Sequence, residues 1–460
     1  MAPLAIALLL IPVALAIAEV LYRDPPTWTI AIGGGLLLAL AIALVVTRFE
    51  LAVYIGFLLT SIVLFQPAPS DALFGLIMAV AFVTGRFRLA SVPRTAVGLV
   101  TAFLLLNVIS TSAVLNWSVA GSFFFITLYL ALFSLWLAGY VDRPARAQKL
   151  VRAYLLTAAL SAFFATASLY VNFPFHTLLI GDQERAKGLF KDPNVYGPFL
   201  VPIALIVAEE IFHPRLLRLR RSLRVMSFIL LVIGVLFSYS RAGWLNLAVG
   251  VIVLIAIVVV RRPDRRALSL VMVVIFGALA LAGAVVVTGS LSFLQERAKR
   301  QSYDTERFAA QARGVKLGLT HLFGVGPGQF ELLSPLATHS LYVRAFAEQG
   351  ILGLLAIAAL VLATLIFGLL NVARGRDTYG ISSAALLAAW CGLVANSFFV
   401  DTMHWRHLWL VAALIWAGVM RERTSASRPS SMQGEALGTA PFGAAHQNGS
   451  PGLAAVRRQL

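Results

Sequence analysis

Two arginines and one histidine are the side chains in this sequence best suited to group-transfer chemistry. Arg185 and Arg241 each lie beside a long apolar run, and His339 lies in a polar stretch from Thr288 to Arg344. A guanidinium group is a planar, permanently charged fork that fits phosphate oxygens. An imidazole titrates near working pH, so it can accept a proton from a hydroxyl group. Together these residue types suit a reaction in which a hydroxyl displaces a phosphate-bearing group.

Each of the three lies in a segment of small and polar residues. The segments read Arg185-Ala-Lys187-Gly188-Leu-Phe190-Lys191-Asp192-Pro193-Asn194-Val-Tyr196-Gly197, Ser238-Tyr239-Ser240-Arg241-Ala242-Gly243, and Gly324-Val325-Gly326-Pro327-Gly328 followed by His339-Ser340-Leu341-Tyr342. Arginines beside apolar runs can also simply meet lipid phosphates. A single histidine more often caps a helix or lies at a membrane interface than acts as a base. The residue types alone leave both structural alternatives open.

The elements that must position these residues are apolar helices. Of the 460 residues, 60% are hydrophobic and 12% are charged, which indicates an integral membrane protein. A helix needs about 20 apolar residues to cross a bilayer. The apolar runs predict helices near 3–21, 28–47, 51–65, 72–85, 96–115, 119–139, 150–171, 197–212, 225–239, 243–260, 267–288, 346–370, 381–399 and 405–420. The sequence therefore predicts an all-α, polytopic transmembrane helical bundle.

The predicted number of helices is 12–14 because two of the runs are short. The runs 51–65 and 72–85 flank Gln66-Pro67-Ala68-Pro69-Ser70-Asp71, so they could also form a re-entrant pair or one broken element. The fold class is the same whether these two runs form separate helices, a re-entrant pair or one broken element.

The net charge of +17 is distributed as a topological signal. Basic residues fill every second connection: Arg86, Arg88 and Arg94; Arg143, Arg146, Lys149 and Arg152; Arg215, Arg218, Arg220, Arg221 and Arg224; Arg261, Arg262, Arg265 and Arg266; Arg374 and Arg376. This positive-inside pattern places those connections and both termini in the cytoplasm, and it argues against nucleic acid as a partner. The alternate connections, which carry the three candidate segments, then face outward.

We expect three regions along the chain. Residues 1–171 form N-terminal transmembrane helices without a motif, and 172–420 hold the candidate segments together with an outward loop at 289–345. The segment 421–460 is rich in Ser, Ala, Gly and Pro and is predicted to be a disordered cytoplasmic tail.

The long loop is predicted to contain a surface helix. Ser302-Tyr303-Asp304-Thr305-Glu306 has the capping and acidic residues of a helix start. Phe308, Ala312, Val315 and Leu319 follow at helical spacing, which indicates an amphipathic helix on the membrane surface.

A metal site is not favoured by the sequence. Asp401, His404 and His407 have a spacing that places them near one helical face, but no cysteine or second cluster supports them. Trp405 and Trp409 suit an interfacial aromatic belt instead. We predict neither a metal nor another cofactor.

The order and placement of the three segments resemble the O-antigen ligase and O-antigen polymerase superfamily of bacterial envelope glycosyltransferases. The resemblance covers about the C-terminal two-thirds of the chain. It implies a GT-C-like inner-membrane enzyme whose active face is periplasmic. The donor would be a glycan on undecaprenyl diphosphate, and the acceptor would be lipid A-core or another growing glycan chain. By motif position, Arg185, Arg241 and His339 fall where the family has functional residues.

Further residues have candidate roles around that reaction. Lys187 and Lys191 would attract the diphosphate or remain solvated, and Asn194 would contact sugar or, with Asp192 and Pro193, cap helix 197–212. Arg307 or Arg313 would assist at the diphosphate, and Arg307 matches the family block better. Gly324, Gly326 and Gly328 could cradle phosphate, but Pro327 removes a donor, which favours a tight turn. Glu348 would fix the start of the next helix rather than donate a proton.

The sequence leaves two classes of function open. A transferase acting at the membrane surface agrees with charge gathered in outward loops. A transporter or flippase for lipid-linked oligosaccharide, which would place ionisable residues near the bilayer midplane, is the alternative. A catalytically silent scaffold would not need all three candidate residues. Within the enzyme class, the motifs do not separate ligase from polymerase, nor from an exopolysaccharide polymerase or a protein glycosyltransferase.

Overall fold

A computed structural model describes residues 27–261 and 302–426. Their helices are α1 (Thr27–Thr47), α2 (Phe49–Leu58), α3 (Pro69–Val83), α4 (Arg94–Ile109), α5 (Trp117–Tyr140), α6 (Pro144–Ala167), α7 (Pro193–Phe212), α8 (Arg221–Phe237), α9 (Arg241–Arg261), α10 (Ser302–Thr320), α11 (Phe330–Leu333), α12 (Leu341–Ala373), α13 (Ser383–Asn396) and α14 (Arg406–Ala426). A short hairpin pairs β1 (Ile180–Gly181) with β2 (Arg185–Ala186). The prediction of an all-α polytopic membrane protein is confirmed.

The predicted apolar segments correspond to α1–α9 and α12–α14 within the described ranges. The predicted helices 3–21 and 267–288, the part of the long loop before Ser302 and the tail beyond Ala426 lie outside those ranges. Six of the described helical segments are long and apolar enough to cross a membrane. They are Arg94–Ala113, Trp117–Tyr140, Pro144–Ala167, Pro193–Phe212, Arg241–Arg261 and Leu341–Ala373.

The two short runs form a packed pair of helices. A 3-10 turn, Leu59–Ser61, ends α2, and α3 begins at Pro69. Proline is favoured in the first helical turn, where its missing N–H has no partner to lose. Between α2 and α3, the rings of Phe57 and Phe74 pack edge to face, with their centroids 5.0 Å apart.

Helix α7 is the central helix of the bundle. Almost every residue between Pro193 and Ile211 is buried, and α7 packs against α6, α8, α9 and α13. The Tyr154 hydroxyl of α6 donates a hydrogen bond to the carbonyl of Phe199 at 2.5 Å. Pro193 and the Asp192 side chain, which accepts from the N–H of Asn194 at 2.8 Å, start the helix. It therefore begins earlier than the predicted residue 197.

Contacts between connections separate two ends of the bundle. The arginine-rich connections contact one another, as in Arg88–Asp142 at 3.7 Å and the ion pair of Arg215 with Asp377. The segments that carry the candidate site make a second, separate set of contacts with one another. Helix α9 has Arg241 at one end and Arg261 at the other, and its 21 residues span about 30 Å. The candidate segments therefore lie together at the end opposite the arginine-rich connections.

Helix α12 is divided by a glycine. Gly350 has φ 69° and ψ −166°, so two helical parts meet at a kink. The first part begins at Leu341 and is capped by Ser340, whereas the sequence predicted a start near 346. Glu348 consequently lies two turns inside the helix, which differs from the role predicted for it at the helix start.

Candidate functional site

One cavity of about 320 Å³ receives side chains from all three candidate segments. Its polar lining consists of Arg185, Asn194, Tyr239, Arg241, Asp304, Arg307, Gln311 and His339. Ala242, Leu245, Phe308, Phe399 and Val400 complete the wall. Residues separated by up to 215 positions in the sequence thus face one space, which is lined by both cationic and apolar side chains.

Arg185 is buried and held in a fixed orientation. It lies on β2, and a tight turn containing Gln183 and Glu184, both with positive φ, returns the chain from β1. Its Nε donates to the Ser238 carbonyl at 3.0 Å, and its Nη2 donates to Asn194 Oδ1 at 3.0 Å. Asn194 therefore orients an arginine at the cavity wall, in addition to lining the cavity itself.

Arg241 is the first residue of α9 and more exposed than Arg185. The preceding Ser240 caps α9 by accepting from the N–H of Gly243 at 3.1 Å. A helix N-terminus adds partial positive charge to that of the guanidinium. Arg241 pairs with both carboxylate oxygens of Asp304 on α10, at 2.9 and 2.5 Å. From the sequence, Asp304 was predicted only to lie in the first turn of a helix.

Helix α10 presents one face to the cavity, and its presence confirms the predicted loop helix. Asp304, Arg307, Phe308 and Gln311 line the cavity at helical spacing. Farther along, a Cβ added to Gly314 would lie 2.5 Å from Val343 of α12. Small residues at such a crossing permit close approach of two helices.

His339 lies in the main-chain turn that precedes α12. Its φ of 47° is left-handed, and its carbonyl accepts a hydrogen bond from Gln311 Nε2 at 3.3 Å. On the other side, the N–H of Leu341 donates to the Ser397 carbonyl at 3.0 Å. Burial lowers the pKa of His339 below its ordinary value, and the positive charge of Arg307 lowers it further, while Asp401 acts in the opposite direction. The imidazole is therefore held largely neutral at neutral pH.

The glycine-rich turn packs on α12 and does not line the cavity. The N–H of Val325 donates to the Ala347 carbonyl at 3.0 Å, and that of Gly326 donates to the Glu348 carbonyl at 2.9 Å. Gly324 has φ 76°, and a Cβ there would lie 2.3 Å from the Glu348 carbonyl carbon. These contacts indicate that the glycine-rich segment forms a tight turn and does not act as a phosphate cradle.

A buried ionic cluster near the start of α12 was not predicted from the sequence. The Arg344 side chain, 3% exposed, pairs with Glu348 at 2.9 Å, Glu331 at 2.6 Å and Asp401 at 2.5 Å. It thereby connects α11, α12 and the segment before α14. The (i, i+4) spacing of Arg344 and Glu348 was the available sequence signal.

Other candidate residues lie away from the cavity wall. Lys187 and Lys191 are not among its lining residues, and Arg313 Nη1 is directed to Ser334 Oγ at 3.5 Å. Asp401, His404 and His407, the three residues considered as metal ligands, each contact a different neighbour. Asp401 pairs with Arg344, His404 Nε2 lies 3.0 Å from Thr127 Oγ1, and His407 packs against the Trp405 ring.

Comparison with known families gives a match over part of the chain. Residues 226–358 match the family model described as O-Antigen ligase. The matched segment contains Arg241, Asp304, Arg307 and His339, whereas Arg185 precedes it. The resemblance to the ligase and polymerase superfamily is thus confirmed, and with the apolar helices it indicates a multi-pass inner-membrane protein. No curated protein matches the chain significantly.

Proposed function

We propose that the protein transfers a glycan from an undecaprenyl-diphosphate carrier to a hydroxyl group of an acceptor. The match to the O-antigen ligase family model supports glycan transfer at the level of the family. The observation that carries the proposal is the convergence of Arg185, Arg241 and Arg307 on one cavity with His339 in its wall. Because the arginine-rich connections lie at the opposite end of the bundle, the proposed active face is periplasmic.

In the proposed reaction, a hydroxyl oxygen of the acceptor attacks the anomeric carbon of the donor glycan. The bond from that carbon to the diphosphate oxygen breaks, and its electron pair leaves with undecaprenyl diphosphate. His339 accepts the proton of the hydroxyl group, for which its lowered pKa keeps it in the neutral form. Attack opposite the leaving group inverts the anomeric centre.

The arginines would stabilise the negative charge of the departing diphosphate. Arg185 is already oriented by Ser238 and Asn194, so little reorganisation accompanies its contribution. Arg307 is one helical turn from Asp304 on the cavity face of α10. Lys187 and Lys191 would act at longer range, by attracting the donor to this end of the bundle.

The apolar lining of the cavity suits the lipid part of the donor. Leu245, Phe308 and Phe399 belong to this lining, and Phe308 and Phe399 are 54% and 53% exposed. A polyprenyl chain could leave the cavity along these residues while its diphosphate faces the arginines. Lipid A-core would make the protein a ligase, and a growing glycan chain would make it a polymerase.

A transfer assay with reconstituted protein tests the proposal. Undecaprenyl-diphosphate glycan is supplied with lipid A-core or with a glycan acceptor, and the new glycosidic bond is measured. We expect Arg185→Ala, Arg241→Ala and His339→Ala to lose transfer, and Arg313→Ala, outside the cavity wall, to retain it. Full transfer by the first three variants would overturn the site. Movement of the lipid carrier across vesicles without bond formation would establish the flippase alternative.

A further inference from the structure

Asp304 holds Arg241 in the geometry that a phosphate group would use. The two guanidinium nitrogens Nη1 and Nη2 each meet one carboxylate oxygen, at 2.9 and 2.5 Å. Arginine binds carboxylates and phosphates through the same two-pronged arrangement. Asp304 is 8% exposed and lines the same cavity as Arg185 and His339. Its carboxylate therefore lies inside the candidate site.

We infer that Asp304 is a built-in competitor of the donor diphosphate, which must displace it from Arg241. This inference rests on the proposed function, because it takes the diphosphate as the ligand of Arg241. Asp304 would occupy the position of a phosphate oxygen pair while the site is empty. When donor binds, the diphosphate replaces the carboxylate, and when undecaprenyl diphosphate leaves, the carboxylate returns.

Charge explains both directions of this exchange. Arg241 begins α9, so the helix adds to its positive charge, and a partly buried cation without a counter-anion is costly. Asp304 supplies the counter-anion when donor is absent. A diphosphate carries more charge and more acceptor oxygens than one carboxylate. It therefore binds Arg241 more strongly than Asp304 does, and it repels the Asp304 carboxylate. The displaced carboxylate remains beside Arg307, one helical turn along.

The exchange also addresses a difficulty of the proposed reaction. A site that binds diphosphate through three arginines would retain its lipid product tightly. Return of Asp304 to Arg241 offsets part of that affinity, so release of undecaprenyl diphosphate becomes easier. The opposite interpretation is that Asp304 only orients Arg241 for the donor, and it makes the opposite prediction for binding.

Binding measurements on reconstituted protein decide between the two. The probes are inorganic diphosphate and undecaprenyl diphosphate, so the result does not depend on transfer. We expect Asp304→Asn to bind both probes on the order of five- to tenfold more tightly, the gain from removing one competing ion pair. Asp304→Glu, which keeps a carboxylate near Arg241, should bind them like the unaltered protein.

Glu306→Gln is the matched control. Glu306 is exposed on the first turns of the same helix and does not line the cavity. The variant loses the same charge, and we expect its binding to change less than about twofold. Unchanged or weaker binding by a folded Asp304→Asn, as judged by a single cooperative unfolding transition, would overturn the inference. Equal tightening in Glu306→Gln would overturn it as well, because bulk charge would then explain the effect.

A separate arm identifies failure of the proposed function. Under that function, Arg241→Ala loses most of its affinity for both probes. If Arg241→Ala binds them as tightly as the unaltered protein, the diphosphate site itself is wrong. If Arg241→Ala loses binding and Asp304→Asn does not gain it, only the competition is wrong.

Discussion

Gln311 Nε2 donates a hydrogen bond to the carbonyl oxygen of His339 at 3.3 Å. The bond connects the cavity face of α10 to a residue whose main chain has a left-handed φ of 47°. A histidine in that conformation needs neighbouring contacts to hold it, because left-handed backbone costs about 1 kcal/mol or more outside glycine. Gln311 is therefore a positioning residue for the proposed base.

Replacing Gln311 should reduce turnover more than donor affinity. We expect Gln311→Leu to lower kcat about fivefold, equivalent to a net hydrogen bond of about 1 kcal/mol, with KM for the donor nearly unchanged. Steady-state transfer kinetics measure both constants. Lys316→Gln, exposed on the same helix, is the control and should leave both unchanged. A change in KM alone would place Gln311 in donor binding instead.

The acid limb of the pH–rate profile should respond to Arg307. Burial and Arg307 both lower the pKa of His339 below 6.5, so the neutral base persists to lower pH. Arg307→Gln removes one of these causes, so we expect the pKa to rise and the acid limb to move to higher pH. Transfer measured from pH 4.5 to 8 tests the direction. A shift to lower pH would contradict the assignment of that limb to His339.

Loss of Arg344 should destabilise the protein strongly. Its side chain is 3% exposed, so Arg344→Met leaves Glu348 and Asp401 without their buried cation, at a cost of roughly 3–5 kcal/mol. Glu331→Gln should cost only about 0–1 kcal/mol, because the Glu331 side chain is 42% exposed. Thermal unfolding in detergent compares the two variants. Equal melting temperatures would show that Arg344 does not anchor this region.

Two glycines should differ sharply in their tolerance of alanine. Gly324 has a positive φ, and an added Cβ would meet the Glu348 carbonyl, so Gly324→Ala should lower the melting temperature and the yield of folded protein. Gly75 in α3 has no neighbour within 4 Å of such a Cβ. Gly75→Ala should be neutral or slightly stabilising, by up to about 1 kcal/mol. The same unfolding assay measures both.

The sequence predicted the helices well because membrane helices need long apolar runs. It also singled out three segments, through their order and their place in alternate connections, and the structure brings residues of all three to one cavity. The pairing of Arg241 with Asp304 could not be predicted, since 63 residues separate the partners and the carboxylate also suits a helix start. The start of α12 was missed because Arg344 and Glu348, which look polar and exposed in sequence, neutralise each other inside the bundle.

Arg185 lies outside residues 226–358, which match the O-antigen ligase family model, yet its Nε donates a hydrogen bond to the carbonyl of Ser238 within them. In a hybrid protein made by exchanging residues 226–358 alone, Arg185 would contact the main chain of a different protein. The smallest graft that carries the arginine together with Asn194 and Ser238 begins at Ile180, the first residue of β1, and continues through residue 358. Engineers who seek new glycan specificity should therefore cut the chain ahead of the hairpin.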